Sequence, residues 1–264
     1  MNLKPIKHLG QNFLSDPNIA RKIVDGLEAL PGDPVVEIGP GTGALTALLA
    51  DRFEHLTVIE IDYRAAELLR TEHPGIRVIE GDVLETDWPS MAAAAGGRLH
   101  VIGNLPYNIT SEIVFGLLDA SDSIAEAVMM VQYDVARRFA AVPRTKEYGI
   151  LSVAAQLSAD VEMLFPVSRN VFYPRPDVRS AVVRFDFGNG VAAGLDADPA
   201  WIRKEVRELV RTAFNQRRKT LRNSLSSITD RVGLDLPENV SGRRAEELEP
   251  YEYVDLARYL LPPG

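Results

Sequence analysis

The chain has 264 residues, enough for one large domain or an ordinary domain with a smaller companion. Apolar residues make up 46% and charged residues 25%, a globular balance, and no apolar run approaches the ~18 residues of a membrane helix. The absence of cysteine excludes disulfides, thiolate catalysis and cysteine-held zinc; with no long apolar leader at the start, a cytoplasmic location is expected.

In chain order, apolar spacing predicts a helix over 17–30, a strand over 34–39, a helix over 43–53, a strand over 56–62 and a helix over 63–72. Strands over 76–82 and 99–104, a helix over 111–119 and a strand over 125–132 follow. Such alternation with buried strands predicts a parallel sheet covered by helices on both faces. Residues 92–97, Ala-Ala-Ala-Ala-Gly-Gly, read as a loop or a frayed helix end. Two later strands, 159–167 and 180–187, lack an intervening helix, so that edge of the sheet is expected to be antiparallel. A Gly/Asp-rich linker over 188–199 precedes a helical remainder, which places a domain boundary near residue 190.

Between the first strand and its helix lies Glu-Ile-Gly-Pro-Gly-Thr-Gly-Ala (37–44). Gly39, Gly41 and Gly43 permit a tight turn and a close backbone approach to a ligand. Gly39, Gly41 and Ala44 also meet a loose dinucleotide fingerprint, but Pro40 removes a backbone donor that a pyrophosphate would use. Glu60 closes the second strand and suits ribose hydroxyls. Asp82 closes the third and suits an exocyclic amine, a donor. Ribose and adenine without pyrophosphate describe S-adenosylmethionine.

The fourth strand ends in Asn104-Leu105-Pro106-Tyr107, an amide, a rigid turn and a ring, with no acid or base. A sulfonium methyl donor is already electrophilic, so the remaining task is to position the nucleophile. The lone pair of an exocyclic nucleobase amine is delocalised. Two acceptors on its hydrogens, the Asn104 oxygen and the Leu105 carbonyl, would pull the nitrogen toward a tetrahedral shape. Pro106 would fix the turn, and Tyr107 would give the base a stacking face.

Taken together, the chain resembles the KsgA (RsmA) family of small-subunit ribosomal RNA adenine dimethyltransferases. The likeness runs from about Gln11 to the C-terminus. It rests on Gln-Asn-Phe-Leu (11–14), 37–46, Glu-Ile-Asp (60–62), Gly-Asp-Val-Leu (81–84), 103–110, Phe-Tyr-Pro-Arg-Pro (172–176) and 213–225. It implies an α/β, class I Rossmann-like S-adenosylmethionine-dependent methyltransferase domain over 1–190 and a small all-helical RNA-binding domain over 191–264. The implied cofactor residues are Asn12, Leu14, Gly39, Gly41, Glu60, Ile61, Asp82, Val83 and Asn104. Asn104, Leu105, Pro106 and Tyr107 would hold the target adenine, and Phe172, expected in a loop by its Pro-rich flank, would close on its other face. The implied reaction is dimethylation of N6 on two adjacent adenines in the 3′-terminal hairpin loop of 16S RNA, within the small ribosomal subunit or its precursor. Assembly of that subunit is an implied second role. Arg179 departs from the aspartate common at that position in the family.

The chain carries a net charge of −8, yet residues 201–223 hold eight basic and two acidic side chains, leaving −14 elsewhere. Charge alone leaves a solvated helix face as an equal reading; the resemblance implies that Arg211, Arg217, Arg218, Lys219 and Arg222 are RNA-phosphate contacts. Ile202, Val206, Leu209, Val210 and Ala213 form an apolar stripe on another face. Lys4, Lys7 and His8 are expected to form a mobile basic arm. His8, His55, His73 and His100 lack metal-ligand spacing, so no metal is expected, and a monomer is. Other readings are a large-subunit RNA dimethyltransferase of the antibiotic-resistance type, a non-catalytic assembly factor and a nicotinamide-dependent dehydrogenase.

Overall fold

The structure is a computed structural model that describes residues 3–195 and 198–263. The chain divides into two compact units, residues 1–136 with 162–188, and residues 137–161 with 189–264.

The first unit is built on strands β1 (Phe13–Leu14), β2 (Pro34–Ile38), β3 (His55–Glu60), β4 (Arg77–Glu80), β5 (Leu99–Asn104), β6 (Ile124–Gln132), β7 (Asp160–Val167, whose first two residues fall in the second unit), β8 (Phe172–Tyr173) and β9 (Ser180–Asp186). Its helices are α1 (Pro17–Val24), α2 (Thr46–Arg52), α3 (Tyr63–Glu72), α4 (Trp88–Ala95) and α5 (Thr110–Asp119). The main sheet has the order β4-β3-β2-β5-β6-β9-β7. From β4 to β6 all neighbours are parallel, and β9 runs antiparallel to β6, so this side of the sheet is antiparallel, as expected. Val35, Val36 and Ile38 of β2 and Val101 and Ile102 of β5 are buried, as expected of parallel strands covered on both faces. The strand order reverses between β2 and β5, where ligands bind in such sheets, beyond the carboxyl ends of the strands.

Capping residues set the helix boundaries. Asp16 accepts the Asn18 and Ile19 amides at 2.8 and 3.3 Å, with Pro17 in the first helical position. The helix stops at Val24, six residues short of the expected end, where the chain tightens through Gly26 N–H to the Ile23 carbonyl. The alanine run over 92–95 is the last turn of a true helix, α4, rather than a loop. Asp87 caps its start, and Gly96, at φ 76°, ends it.

The second unit is helical. It contains α7 (Ile150–Ser158), α8 (Pro199–Trp201), a π-helical turn over Ile202–Val206, α9 (Arg207–Asn215), α10 (Leu221–Ser224), α11 (Ser226–Val232), α12 (Glu238–Ser241) and α13 (Pro250–Leu260); α6 (Tyr133–Phe139) starts in the first unit and ends in this one. The expected apolar stripe, Ile202, Val206, Leu209, Val210 and Ala213, is buried. Residues 137–161, which the sequence reading placed with the first domain, belong here. Tyr148, Val153 and Leu157 pack in one core with Val206, Leu209 and Tyr253, and the Tyr148 hydroxyl donates to the Leu248 carbonyl at 2.8 Å. Their apolar partners lie far along the chain, which local periodicity does not register.

Candidate active site

At the carboxyl ends of β2, β3 and β5 the first unit opens into a cleft of about 240 Å³. Its wall includes Asn12, Leu14, Gly39, Gly41, Glu60, Ile61, Asp82, Val83, Asn104, Leu105, Pro106 and Tyr107. Residues spread over 96 positions of the chain thus converge in one cavity.

Glu60 ends β3 and is 4% exposed. Its Oε2 accepts the Gly41 amide at 3.0 Å and its Oε1 the Asp62 amide at 2.9 Å. Burial raises its pKa, and the two amides oppose that rise. The glycine loop and the carboxylate are thereby one hydrogen-bonded unit with acceptor capacity left over. Gly41 must be glycine: its φ is +56°, and a Cβ there would lie 2.9 Å from the Phe13 ring. Asp82 accepts the Leu84 amide at 2.9 Å and caps a short turn at the end of β4. Ile61 is 51% exposed beside Glu60, an apolar surface in the cleft wall.

Beneath the loop lies a carboxylate that sequence reading did not single out. Glu37, in β2, is 1% exposed and accepts the Thr46 hydroxyl at 2.7 Å. Burial lifts its pKa from 4.5 to about 8; the Thr46 bond opposes this and the nearby Glu60 adds to it. The signal was available: an acid inside a buried strand needs a partner, and Thr46 stands nine residues on, at the start of α2.

Hydrogen bonds hold much of the turn after β5. The Leu105 amide donates to the Met130 carbonyl at 3.1 Å. The Pro106 carbonyl accepts Thr110 Oγ1 at 2.9 Å and the Ile109 amide at 3.3 Å. Asn104 Nδ2 donates to the Asn12 carbonyl at 2.9 Å, which determines the amide's orientation, because only the nitrogen can donate. The Asn104 Oδ1 and the Leu105 carbonyl receive no donor among the described residues and are free to accept. The Tyr107 hydroxyl shares a 2.7 Å hydrogen bond with Ser180 Oγ, so its ring is pinned at the cleft mouth.

The segment that orients Asn104 is itself clamped. Gln11 accepts the Ile6 amide at 2.8 Å and donates to Asp62 Oδ2 at 3.0 Å. Asp62 also accepts Arg64 Nε at 2.9 Å and Nη2 at 2.6 Å, and Arg64 reaches the Lys4 carbonyl at 3.2 Å. The Arg64 guanidinium holds the Asp62 carboxyl down at about 2. Gly10, at φ +65°, lets this strap pass Asn108, whose Oδ1 would lie 2.5 Å from a Cβ there. The expected mobile basic arm is therefore tied across the strand ends. Sequence reading assigns Asn12 a role but none to Gln11, although it opens the 11–14 motif, nor to Arg64, because the partners that tie them into the strap are distant.

Phe172 is placed differently from expectation. It sits in β8 opposite Leu14 of β1, 5% exposed in the apolar core, and does not line the cleft. The Pro-rich flank follows a strand in which Phe172 points inward and Tyr173, 66% exposed, points out.

In the helical unit, Arg211, Arg218, Lys219 and Arg222 are exposed around the connection from α9 to α10. Arg217 is committed within the fold: its guanidinium meets Glu246 at 2.5 Å and the Lys146 and Thr145 carbonyls at 2.8 and 3.0 Å. No group of acids and histidines arranged to hold a metal occurs among the described residues, nor is any helix long and apolar enough to cross a membrane.

Comparison with known proteins accords with this geometry. Residues 2–260 match the ribosomal RNA adenine dimethylase family. "Ribosomal RNA small subunit methyltransferase A" of Salinibacter ruber is 50% identical over 258 residues, 97% of this chain and 85% of the relative. The protein of the same name from Chlorobaculum tepidum is 49% identical over 92% of this chain and 84% of its own. Among solved structures, a dimethyladenosine transferase from Plasmodium falciparum superposes with a TM-score of 0.77 at 23% identity, covering 92% of this chain and 95% of that one, a likeness of fold. The 23S rRNA methyltransferase ErmE superposes with a TM-score of 0.69 at 30% identity, covering 94% and 99%. With its class I Rossmann-like fold, its nucleoside-type cleft and a match over nearly its whole length, the chain belongs to the ribosomal RNA adenine dimethylase family.

Proposed function

We propose that this enzyme dimethylates N6 of two adjacent adenines in the 3′-terminal hairpin loop of 16S RNA, within the small ribosomal subunit or its precursor, and so takes part in subunit biogenesis. As a family member it is an S-adenosylmethionine-dependent rRNA methyltransferase. The small-subunit assignment is supported by relatives of that name at 44–50% identity. The observation that carries the chemistry is the Asn104 amide, oriented by the Asn12 carbonyl beside Tyr107 in a cleft shared with Glu60 and Asp82.

When bound, S-adenosylmethionine supplies an electrophilic methyl group on its sulfonium. The residues present fit such a ligand: a buried carboxylate with spare acceptor capacity, a second acid at the next strand end and an exposed apolar edge. Glu60 would accept the ribose hydroxyls, Asp82 the adenine amine, and Ile61 and Val83 would contact the ring. Asn12, Leu14, Gly39 and Gly41 complete the wall. Asn104 Oδ1 and the Leu105 carbonyl would accept the two hydrogens of the target amine and return its lone pair to nitrogen. Pro106 holds that geometry, and Tyr107 stacks on the base. No general base is required, since the alkylated amine loses its proton readily to water. Phe172 would have to leave its core packing to meet the base, so Tyr107 is the stacking face that geometry supports. Arg211, Arg218, Lys219 and Arg222 would contact RNA phosphates without reading sequence.

The test is transfer from tritiated S-adenosylmethionine to small and large subunits from a strain lacking this enzyme class, with products resolved as nucleosides. Dimethyladenosine in small subunits alone is expected. Label in large subunits would replace this reading with the activity named for the ErmE structure.

A further inference from the structure

We propose that a concavity at the end of β6 is a second nucleotide site, which takes the ribose-phosphate of the RNA residue next to the target adenine. It is lined by Gln132, Tyr133, Asp134, Arg169, Asp177 and Arg179, and holds about 450 Å³. This inference rests on the RNA reading above.

Its location follows from strand register. Asn104 stands opposite Met130, and Gln132, two residues further along β6, stands opposite Ser180. The concavity therefore begins about 7 Å along the strand from the level of the target-base turn. The two places are also bonded together. Ser180, which follows Arg179, holds the Tyr107 hydroxyl at 2.7 Å, and the Tyr133 amide donates to the Arg179 carbonyl at 2.9 Å. A nucleotide adjoining a base stacked on Tyr107 would meet this wall next.

Its chemistry is that of a sugar-phosphate. In the same unit, Arg52, Arg64, Arg70 and Arg184 are each paired with a carboxylate, whereas Arg21, Arg77, Arg98 and Arg175 have no such pair among the described residues, so what sets Arg169 and Arg179 apart is that both line one concavity. Arg169 and Arg179 form no ion pair among the described residues, although Asp134 and Asp177 line the same concavity. Each is oriented by a contact that is not an ion pair. The Arg179 guanidinium lies 4.5 Å from the centroid of the Tyr133 ring, and Arg169 Nη1 donates to the Asp177 carbonyl at 3.2 Å. Two held guanidiniums match the planar, bidentate demand of a phosphodiester. The two carboxylates accept hydroxyl donors, and the 2′-hydroxyl is the donor that RNA carries and DNA lacks. Two positive and two negative groups make the concavity neutral overall, which suits one phosphodiester with its ribose better than a free polyphosphate.

The test uses the full-length enzyme with Arg169→Gln and Arg179→Gln, singly and together, on small subunits lacking the modification. Glutamine keeps much of each side chain's length and removes the charge. KM for subunits should rise about fivefold for each variant, and the slope of log KM against log salt should fall by about 1 per arginine. kcat, cofactor affinity and thermal midpoint should stay at the wild-type values. Wild-type KM and salt slope in the double variant, with wild-type enzyme methylating the same subunits, would overturn this site and leave the proposed function standing. Failure of the wild-type enzyme to methylate small subunits would overturn both.

Discussion

Replacing Asp62 with Asn removes the carboxylate at the centre of the N-terminal clamp. Asp62 is 3% exposed and receives the Arg64 guanidinium on both oxygens, together with Gln11. Its pKa in the fold is about 2, against an ordinary 3.8. At about 1.4 kcal/mol per pH unit, that depression contributes roughly 2.5 kcal/mol to the folded state. The sign follows from the direction. The folded group releases its proton more readily than the unfolded one, so the contribution is complete above about pH 4 and disappears as pH falls through about 2. At neutral pH the variant should lose roughly 2 kcal/mol, or about 4–8 °C in thermal midpoint, and its acid limb should be shallower than the wild type's. The functional consequence passes through geometry. Asn12, whose carbonyl orients the Asn104 amide, follows Gln11 directly. A loosened strap should lower kcat by about tenfold to a hundredfold, with KM for RNA unchanged. Denaturation monitored from pH 2 to 7, with steady-state kinetics at pH 7, reads both effects. Reduced stability with undiminished kcat would refute the link from strap to Asn104. Undiminished stability would refute the electrostatic magnitude.

Glu37→Gln should change the opposite side of the pH curve. The folded carboxyl keeps its proton up to about 8 while the unfolded one loses it near 4.5, so wild-type stability falls across that window, by at most about 5 kcal/mol. Glutamine should flatten the fall, read as urea midpoints at pH 5 and pH 8, and a wild-type slope in the variant would contradict the assignment. Arg217→Ala should lower the thermal midpoint through loss of about 2 kcal/mol of charge-assisted hydrogen bonds, and leave the salt dependence of RNA binding as it was. Arg218→Ala with Lys219→Ala should do the reverse, weakening binding and reducing the salt slope by about 2. Equal effects of the two changes on binding would return Arg217 to the RNA surface.

Much of this arrangement is legible where the governing interaction is local. The strands that carry Glu60, Asp82 and Asn104 end within two residues of the predicted positions, because buried parallel strands are continuous apolar runs bounded by turn residues. Glu60, Asp82 and Asn104 face one cleft because strand ends in such a sheet share one edge. What sequence misses depends on partners far along the chain. Gln11 looks ordinary until Asp62, 51 residues away, is beside it. Arg217 reads as one more charge in a basic run, yet a carboxylate 29 residues on and two backbone carbonyls hold it. Phe172 has a loop-like flank, but its pairing with Leu14 draws it into the core. Tyr148 and its neighbours join the helical unit through Leu248 and Tyr253, about a hundred residues on, beyond any window that a 3.6-residue period can sense.

The most direct test of the central claim is the single-turnover rate of methyl transfer to adenine N6 by Asn104→Ala, with small subunits and cofactor both saturating. Saturation removes any effect on affinity, so the rate reports only how the target amine is held. If the Asn104 oxygen accepts an amine hydrogen at the reacting nitrogen, the rate should fall by about a hundredfold or more, with the fold intact by circular dichroism. A rate within about threefold of wild type would contradict the acceptor mechanism and leave Asn104 a structural link between β5 and the N-terminal strap.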